Sequence, residues 1–299
     1  MMACRETPFV CTVDDADLLG ILSMPTMETP ATPSRDGTTD LGVLILNAGM
    51  NHRVGPHRLH VRIARDLARS GIPAARFDFS GLGDSAMRPG LQDLASARAE
   101  EIEAVIAHLR ELGLRRFLLI GLCAGGGAAF RASGEQEDVV GAALLNTRRF
   151  DDDLGAQEQW RATTETRSDA RFYWKVALFR AASWKRLFTG RSSLGRILRA
   201  SLFRLREKCF PDRTLRKARQ RILQGLEDRH ARGVHLLFLV SEADTSADQM
   251  RFLFRDHTPQ GHSLVMLQDT DHTFTWRSSQ DRLTEEVVRW AKGFRDPVS

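Results

Sequence analysis

The chain has 299 residues, 42% of them hydrophobic and 27% charged, with a net charge of +5. That length buries a large core and the balance is that of a globular protein, so a disordered or fibrous chain is excluded. The cysteines at 4, 11, 123 and 209 show no CxxC spacing, and no run approaches eighteen apolar residues; reduced thiols, a cytoplasmic location and no export signal or transmembrane segment are expected.

The charge is uneven. From Thr147 to Gly233 there are 22 Lys and Arg against 10 Asp and Glu, so this segment carries +12 and the remainder −7. Ahead of it, residues 9–24 read as two short strands about an Asp-rich turn, and Met27 to Asp40, rich in Thr, Pro, Ser and Gly, as a loop. Gly42 to Leu46 is an apolar strand that ends in Asn47-Ala48-Gly49-Met50-Asn51-His52. Pro56 suits the first turn of a helix whose apolar face is Leu59, Ile63 and Leu67, stopping at Gly71. Pro73 to Phe79 is the next strand, running into the turn-rich Asp78-Phe79-Ser80-Gly81-Leu82-Gly83-Asp84-Ser85.

Residues 91–112 predict a long amphipathic helix with Leu94, Ile102, Val105, Ile106 and Leu109 facing inward, and Arg116–Leu122 and Val139–Leu145 predict strands. The alternation of apolar strands with helices stops at Thr147 and resumes at Val234–Val240. A helix near 247–255, a strand at Ser263–Leu267 and a helix around 280–293 complete it. This rhythm predicts an α/β fold, a mostly parallel sheet covered by helices on both faces. Residues 1–146 and 234–299 form its core, and 147–233 an inserted, basic, helical cap over the carboxyl ends of the strands.

Between strand and helix stands Gly121-Leu122-Cys123-Ala124-Gly125. A nucleophile perched on a sharp strand-to-helix turn leaves no room for Cβ atoms two residues away, which accounts for both glycines. At the positive end of a helix the Cys123 thiol ionises more readily. The plain alternative is a structural cysteine in a glycine-rich turn. A nucleophile needs a base, and the base an acid to orient it. His272 and Asp244 both follow apolar strands, where open α/β sheets place their sites. Glu242 competes with Asp244, and Asp271 is a second carboxylate beside His272. Asp84 reads as a loop brace. Asn51, His52, Arg53 and His57 cluster beside the loop after the first apolar strand; the first three are candidate substrate contacts, with helix capping and solvation as the alternative. His52 and His57 lack acid or thiol companions at metal-site spacing, and Gly81-x-Gly83 opens no GxGxxG helix, so no metal and no cofactor are expected.

The order Cys, Asp, His and the motifs above resemble the α/β-hydrolase superfamily with a helical cap, here with cysteine in the elbow and a Cys-His-Asp triad. Asn47-Ala48-Gly49-Met50 stands where that family has its His-Gly oxyanion loop, Asp78–Ser85 is similar to its Asp-x-x-Gly-x-Gly-x-Ser loop, and residues 40–146 and 234–295 are covered. Ala48 departs from the usual histidine and Cys123 from the usual serine. The triad is also similar to that of the dienelactone-hydrolase variants of the fold. The resemblance implies catalytic Cys123, His272 and Asp244, with the backbone N–H groups of Ala124 and Met50 as oxyanion hole.

An acyl-cysteine is open to amine and thiol acceptors, so the expected activity is acyl transfer from a thioester donor through Cys123. The basic cap suits an acidic acyl carrier protein or coenzyme A as that donor. Its arginines alternate with Leu, Phe, Trp and Ile and match no nucleic-acid motif, so no nucleic acid is expected. The alternatives are a thioesterase or esterase with the same triad, and a noncatalytic scaffold that binds an acidic partner and whose triad is out of register.

Overall fold

The computed structural model describes residues 3–26, 40–90, 94–150 and 213–295. Its strands are β1 (Ala3–Val13), β2 (Ala16–Thr26), β3 (Leu41–Leu46), β4 (Ala74–Phe77), β5 (Arg116–Leu122), β6 (Val139–Leu145), β7 (His235–Ser241) and β8 (Ser263–Leu267). They form one sheet in the order β1-β2-β4-β3-β5-β6-β7-β8. From β4 to β8 every pairing is parallel, while β1 with β2 and β2 with β4 are antiparallel. The helices are α1 (Leu59–Arg69), α2 (Leu94–Glu111), α3 (Ala124–Glu135), α4 (Arg213–Ala231), α5 (Thr245–Leu253) and α6 (Arg277–Arg295), and a 3₁₀ turn over Pro56–Arg58 precedes α1.

The central strands β3, β5, β6 and β7 are apolar except at their ends because both faces are covered. Along β5, Phe117 and Leu119 join one core with Ile102 and Val105 of α2 and Phe130 of α3. The alternate residues Leu118, Ile120 and Leu122 join the other, with Ile63 and Leu67 of α1 and Leu283 and Val287 of α6. The expected α/β-hydrolase architecture is present, a mostly parallel sheet with helices on both sides.

The first hairpin is longer than the two short strands read from residues 9–24, pairing Ala3 with Thr26 through to Val13 with Ala16. Charged Arg5 and Glu6 hide its start in the sequence. Glu6 is held by Arg65, on α1, and by Arg76, whose Nη2 lies 2.8 Å away, on β4. The predicted Asp-rich turn is there, with Asp14 and Asp15 both at positive φ (46° and 59°), as a two-residue hairpin loop requires.

Of the segment assigned to a cap, 151–212 lie outside the described residues, as does most of the predicted loop Met27–Asp40. Helix α4 packs Ala218, Ile222 and Leu226 into the core shared with α2 and α3. Part of the segment's positive charge has a structural role there. Arg229 Nη2 donates to Phe130 O (2.6 Å) near the end of α3, and Arg219 Nε to Leu253 O (3.0 Å) at the end of α5. A cation at a helix carboxyl terminus, as Arg219 is at that of α5, answers unpaired carbonyls and the negative dipole end.

Candidate active site

Cys123 alone joins β5 to α3, at φ 55° and ψ −111°. A residue with a Cβ holds such a conformation only when its surroundings enforce it. Here the strand and helix backbones nearly touch. A carbon added at Gly121 would lie 2.1 Å from the carbonyl oxygen of Gly125, and one added at Gly125 would lie 2.4 Å from that of Asn47. The Cys123 N–H donates to Leu145 O on β6 (2.9 Å), which ties the turn to the neighbouring strand.

The structure brings Cys123, His272 and Asp244 together. The thiol lies beside the His272 ring and interacts with it, and His272 Nδ1 lies 2.7 Å from Asp244 Oδ2. Asp244 is also the N-cap of α5, its Oδ1 accepting the Ser246 N–H at 2.8 Å. The other acids are engaged elsewhere. Glu242 pairs with Arg251 (3.2 Å), and Asp271 accepts the Thr275 N–H (2.8 Å) within its own loop.

The charges support one another. Hydrogen bonds to Asp244 and then to Cys123 outweigh burial and raise the imidazole to about 9. The His272 hydrogen bond holds the Cys123 thiol below its ordinary value against the opposing effect of burial, helped by the charges of His272 and Arg148 and by the Ala124 N–H. Burial pushes the Asp244 carboxyl up, but hydrogen bonds from His272 and Ser246 more than offset it and leave it low. The arrangement favours a thiolate beside an imidazolium whose far nitrogen is held by a carboxylate.

Two residues at this site escaped the sequence reading. Asn146, buried at the end of β6 with φ 44°, links three segments. Its Nδ2 donates to His272 O and to Ser241 Oγ, both at 2.9 Å, and its Oδ1 accepts the Ser241 N–H at 2.7 Å. It thereby sets the base loop against the end of β7, from which the acid loop departs. The only sequence signal was an asparagine closing an apolar strand, a residue tolerant of the left-handed region. Arg148, two residues on, donates from Nη1 to Thr245 Oγ1 (3.1 Å) beside Asp244.

At the start of α3 the backbone N–H of Ala124 acts on the thiol, and in the loop after β3 the Met50 side chain is exposed. Asn51 Nδ2 donates to Ala48 O (2.9 Å), and His52 Nδ1 accepts the Val54 N–H (3.3 Å). Arg53 bonds the fully buried Asp78 through both its backbone N–H and its guanidinium, and pairs with Asp84 at 2.6 Å. Asn47 Nδ2 adds a bond to Asp78 at 3.1 Å. Asn51 and Arg53, read as candidate substrate contacts, therefore brace the loop, as does Asp84. His57, at φ 51°, meets Thr275 Oγ1 at 3.3 Å, joining this loop to that of His272.

Residues 44–287 match the model of a family described as the alpha/beta hydrolase family. The chain belongs to the alpha/beta hydrolase family. No curated protein matches the chain. Among solved structures it is similar to a proline iminopeptidase of Mycobacterium smegmatis, with a TM-score of 0.58, 17% identity, and 96% of this chain and 98% of that one covered. It is similar to an esterase of Pyrococcus furiosus at a TM-score of 0.58 and 14% identity, covering 99% and 92%. A dienelactone hydrolase of Anabaena variabilis matches at 0.53 and 14%, covering 96% of each chain. At these identities the likenesses show the fold alone. Membership supports an enzyme of α/β-hydrolase type, and no described helix is long and apolar enough to cross a membrane.

Two expectations are corrected by these comparisons. The resemblance to a cysteine-type branch with a Cys-His-Asp triad gives way to membership of the hydrolase family at large, whose named neighbours include an iminopeptidase and esterases. Acyl transfer from a thioester donor is likewise overturned in favour of the hydrolase reading. The physical reason is that an acyl-sulfur bond only makes transfer feasible. Which nucleophile discharges it depends on what the site admits, and the cysteine side chain does not encode that.

Proposed function

We propose that the protein is a carboxylic-ester hydrolase using Cys123, His272 and Asp244. The observation that carries this reading is the register of the strained elbow thiol, the His272 ring that acts on it, and Asp244, which holds that ring at 2.7 Å. A noncatalytic scaffold has no need of that register. The Cys123 sulfur attacks the ester carbonyl, and the oxyanion that forms is held by the backbone N–H groups of Ala124 and Met50. Collapse breaks the C–O bond, and the leaving alkoxide takes its proton from the His272 imidazolium. The neutral ring then removes a proton from water as it attacks the acyl group, and the acid departs with the thiolate restored. Asp244 keeps the ring in one tautomer throughout. A nucleophilic thiol must be reduced, which suits a cytoplasmic setting.

The test is hydrolysis of 4-nitrophenyl acetate and butyrate by wild type, C123A and H272A, with intact mass read after rapid quenching. Turnover with an acyl adduct on wild type, both lost in C123A, is the expected result. Equal turnover by wild type and C123A would reject the assignment.

A further inference from the structure

Arg148 stands out among the arginines near the site. Most described arginines in ion pairs face carboxylates, as Arg53 does Asp78 and Asp84, Arg88 does Asp14 and Glu100, and Arg116 does Asp40. Among the described residues no carboxylate pairs with Arg148, and its side chain is anchored by the neutral Thr245 hydroxyl at 3.1 Å. Buried neighbours fix the backbone on either side. Thr147 is 2% exposed, and Phe150 packs edge-on against Phe130 with ring centroids 5.4 Å apart. Asp244, the acid next to Thr245, has both oxygens occupied, one by His272 and one by the Ser246 N–H.

The guanidinium is close enough to Cys123 for its charge to act on the thiol. Its anchor, Thr245, opens α5, and Cys123 precedes α3, so two helix amino termini add positive potential around it. At rest the thiolate answers this charge. Once the sulfur carries an acyl group that negative charge is gone, and a half-buried cation that meets no carboxylate among the described residues is costly.

We infer that Arg148 recognises an anionic group on the substrate, and that the preferred esters carry a free carboxylate near the bond that is cleaved. This rests on the hydrolase reading and narrows its substrate class. A guanidinium held at one nitrogen keeps the rest of its donor fork for a carboxylate, which it binds in a bidentate manner.

Iodoacetate and iodoacetamide share a shape and differ in carrying a carboxylate or an amide, and both need the thiolate. Their rates at Cys123, read by peptide mapping, are compared in wild type, R148Q and R148K. The expected result is a ratio of iodoacetate to iodoacetamide rates that falls about tenfold in R148Q, the worth of one partly screened charge pair, and is largely retained in R148K. Loss of thiolate slows both reagents alike and cancels in the ratio. A ratio unchanged in R148Q overturns the inference and leaves Arg148 a thiolate counter-ion only. The second arm compares kcat/KM for 4-nitrophenyl acetate and the 4-nitrophenyl half-ester of succinate. The half-ester is expected to be preferred in wild type and to lose that preference in R148Q, chiefly through KM. Ester cleavage without an Arg148-dependent preference defeats this inference alone. An Arg148-dependent alkylation ratio with neither ester cleaved defeats the hydrolase reading and leaves the anion site standing.

Discussion

Replacing Asn146 tests whether one buried amide holds the base loop in place. In Asn146→Ala the Ser241 N–H loses the acceptor at 2.7 Å and His272 O loses the donor at 2.9 Å. Ser241 Oγ still donates to Asp271 O at 2.8 Å and is not orphaned. Each group left unpaired costs about 1–3 kcal/mol, more for the Ser241 N–H because Ser241 is fully buried. Alanine at φ 44° adds about 1 kcal/mol. The expected destabilisation is about 4 kcal/mol, or a Tm lower by about 10 °C in a chain of this size. Asn146→Gly separates the two contributions, because it removes the bonds and keeps the backbone at ease; it should lie about 1 kcal/mol above the alanine variant. Equilibrium denaturation gives the energies, and ester hydrolysis on the folded fraction gives the functional part. Displacing the His272 loop by as little as 1 Å is expected to lower kcat/KM by about 100-fold. An Asn146→Gly protein within about 0.5 kcal/mol of wild type would refute the reasoning, since the bonds would then carry no net weight.

Three other perturbations address the elbow, the loop and the charges. Gly121→Ala places a carbon 2.1 Å from Gly125 O and 2.4 Å from Gly126 N, backbone atoms that cannot swing away, so a loss of about 3 kcal/mol or more is expected; a wild-type Tm would count against the close packing of β5 on α3. Arg53→Ala takes the cation from the buried Asp78 carboxylate while leaving its amide donors, and should cost about 3 kcal/mol, much of it recovered in Arg53→Ala/Asp78→Asn, and denaturation midpoints of the two variants decide this. Against pH, iodoacetamide should label Cys123 at lower pH than an ordinary thiol, while Cys11, pushed by burial and by Glu101 and Asp17 to about 11, stays unlabelled; parallel profiles for the two would contradict the His272 coupling. His272 is raised in the folded protein, so its stabilisation is complete below the ordinary histidine value and is lost as pH rises through about 9. The difference in midpoint between wild type and His272→Gln should therefore be largest in mild acid and disappear in strong base.

Much of the fold was legible because buried parallel strands need unbroken apolar runs, and 41–46, 117–122 and 236–240 are such runs. The elbow was legible too, since a turn this tight excludes side chains at 121 and 125 whatever surrounds it. These are local constraints, written in consecutive residues. What only the tertiary structure decided depends on residues distant in the chain. In the sequence the family resemblance alone favours Asp244 over Glu242 and Asp271, and it is the placement of β7 beside β8 that turns Asp244 toward His272 and leaves Glu242 to Arg251. The bonds of Asn51 and Arg53 to Ala48, Asp78 and Asp84 were likewise set by the folded loop. Asn146 meets Ser241 and His272 across 95 and 126 residues, and no local pattern announces such a bond. Apolar periodicity and steric exclusion are properties of a stretch of chain, whereas the partner of a charge or an amide is whichever group the fold delivers to it.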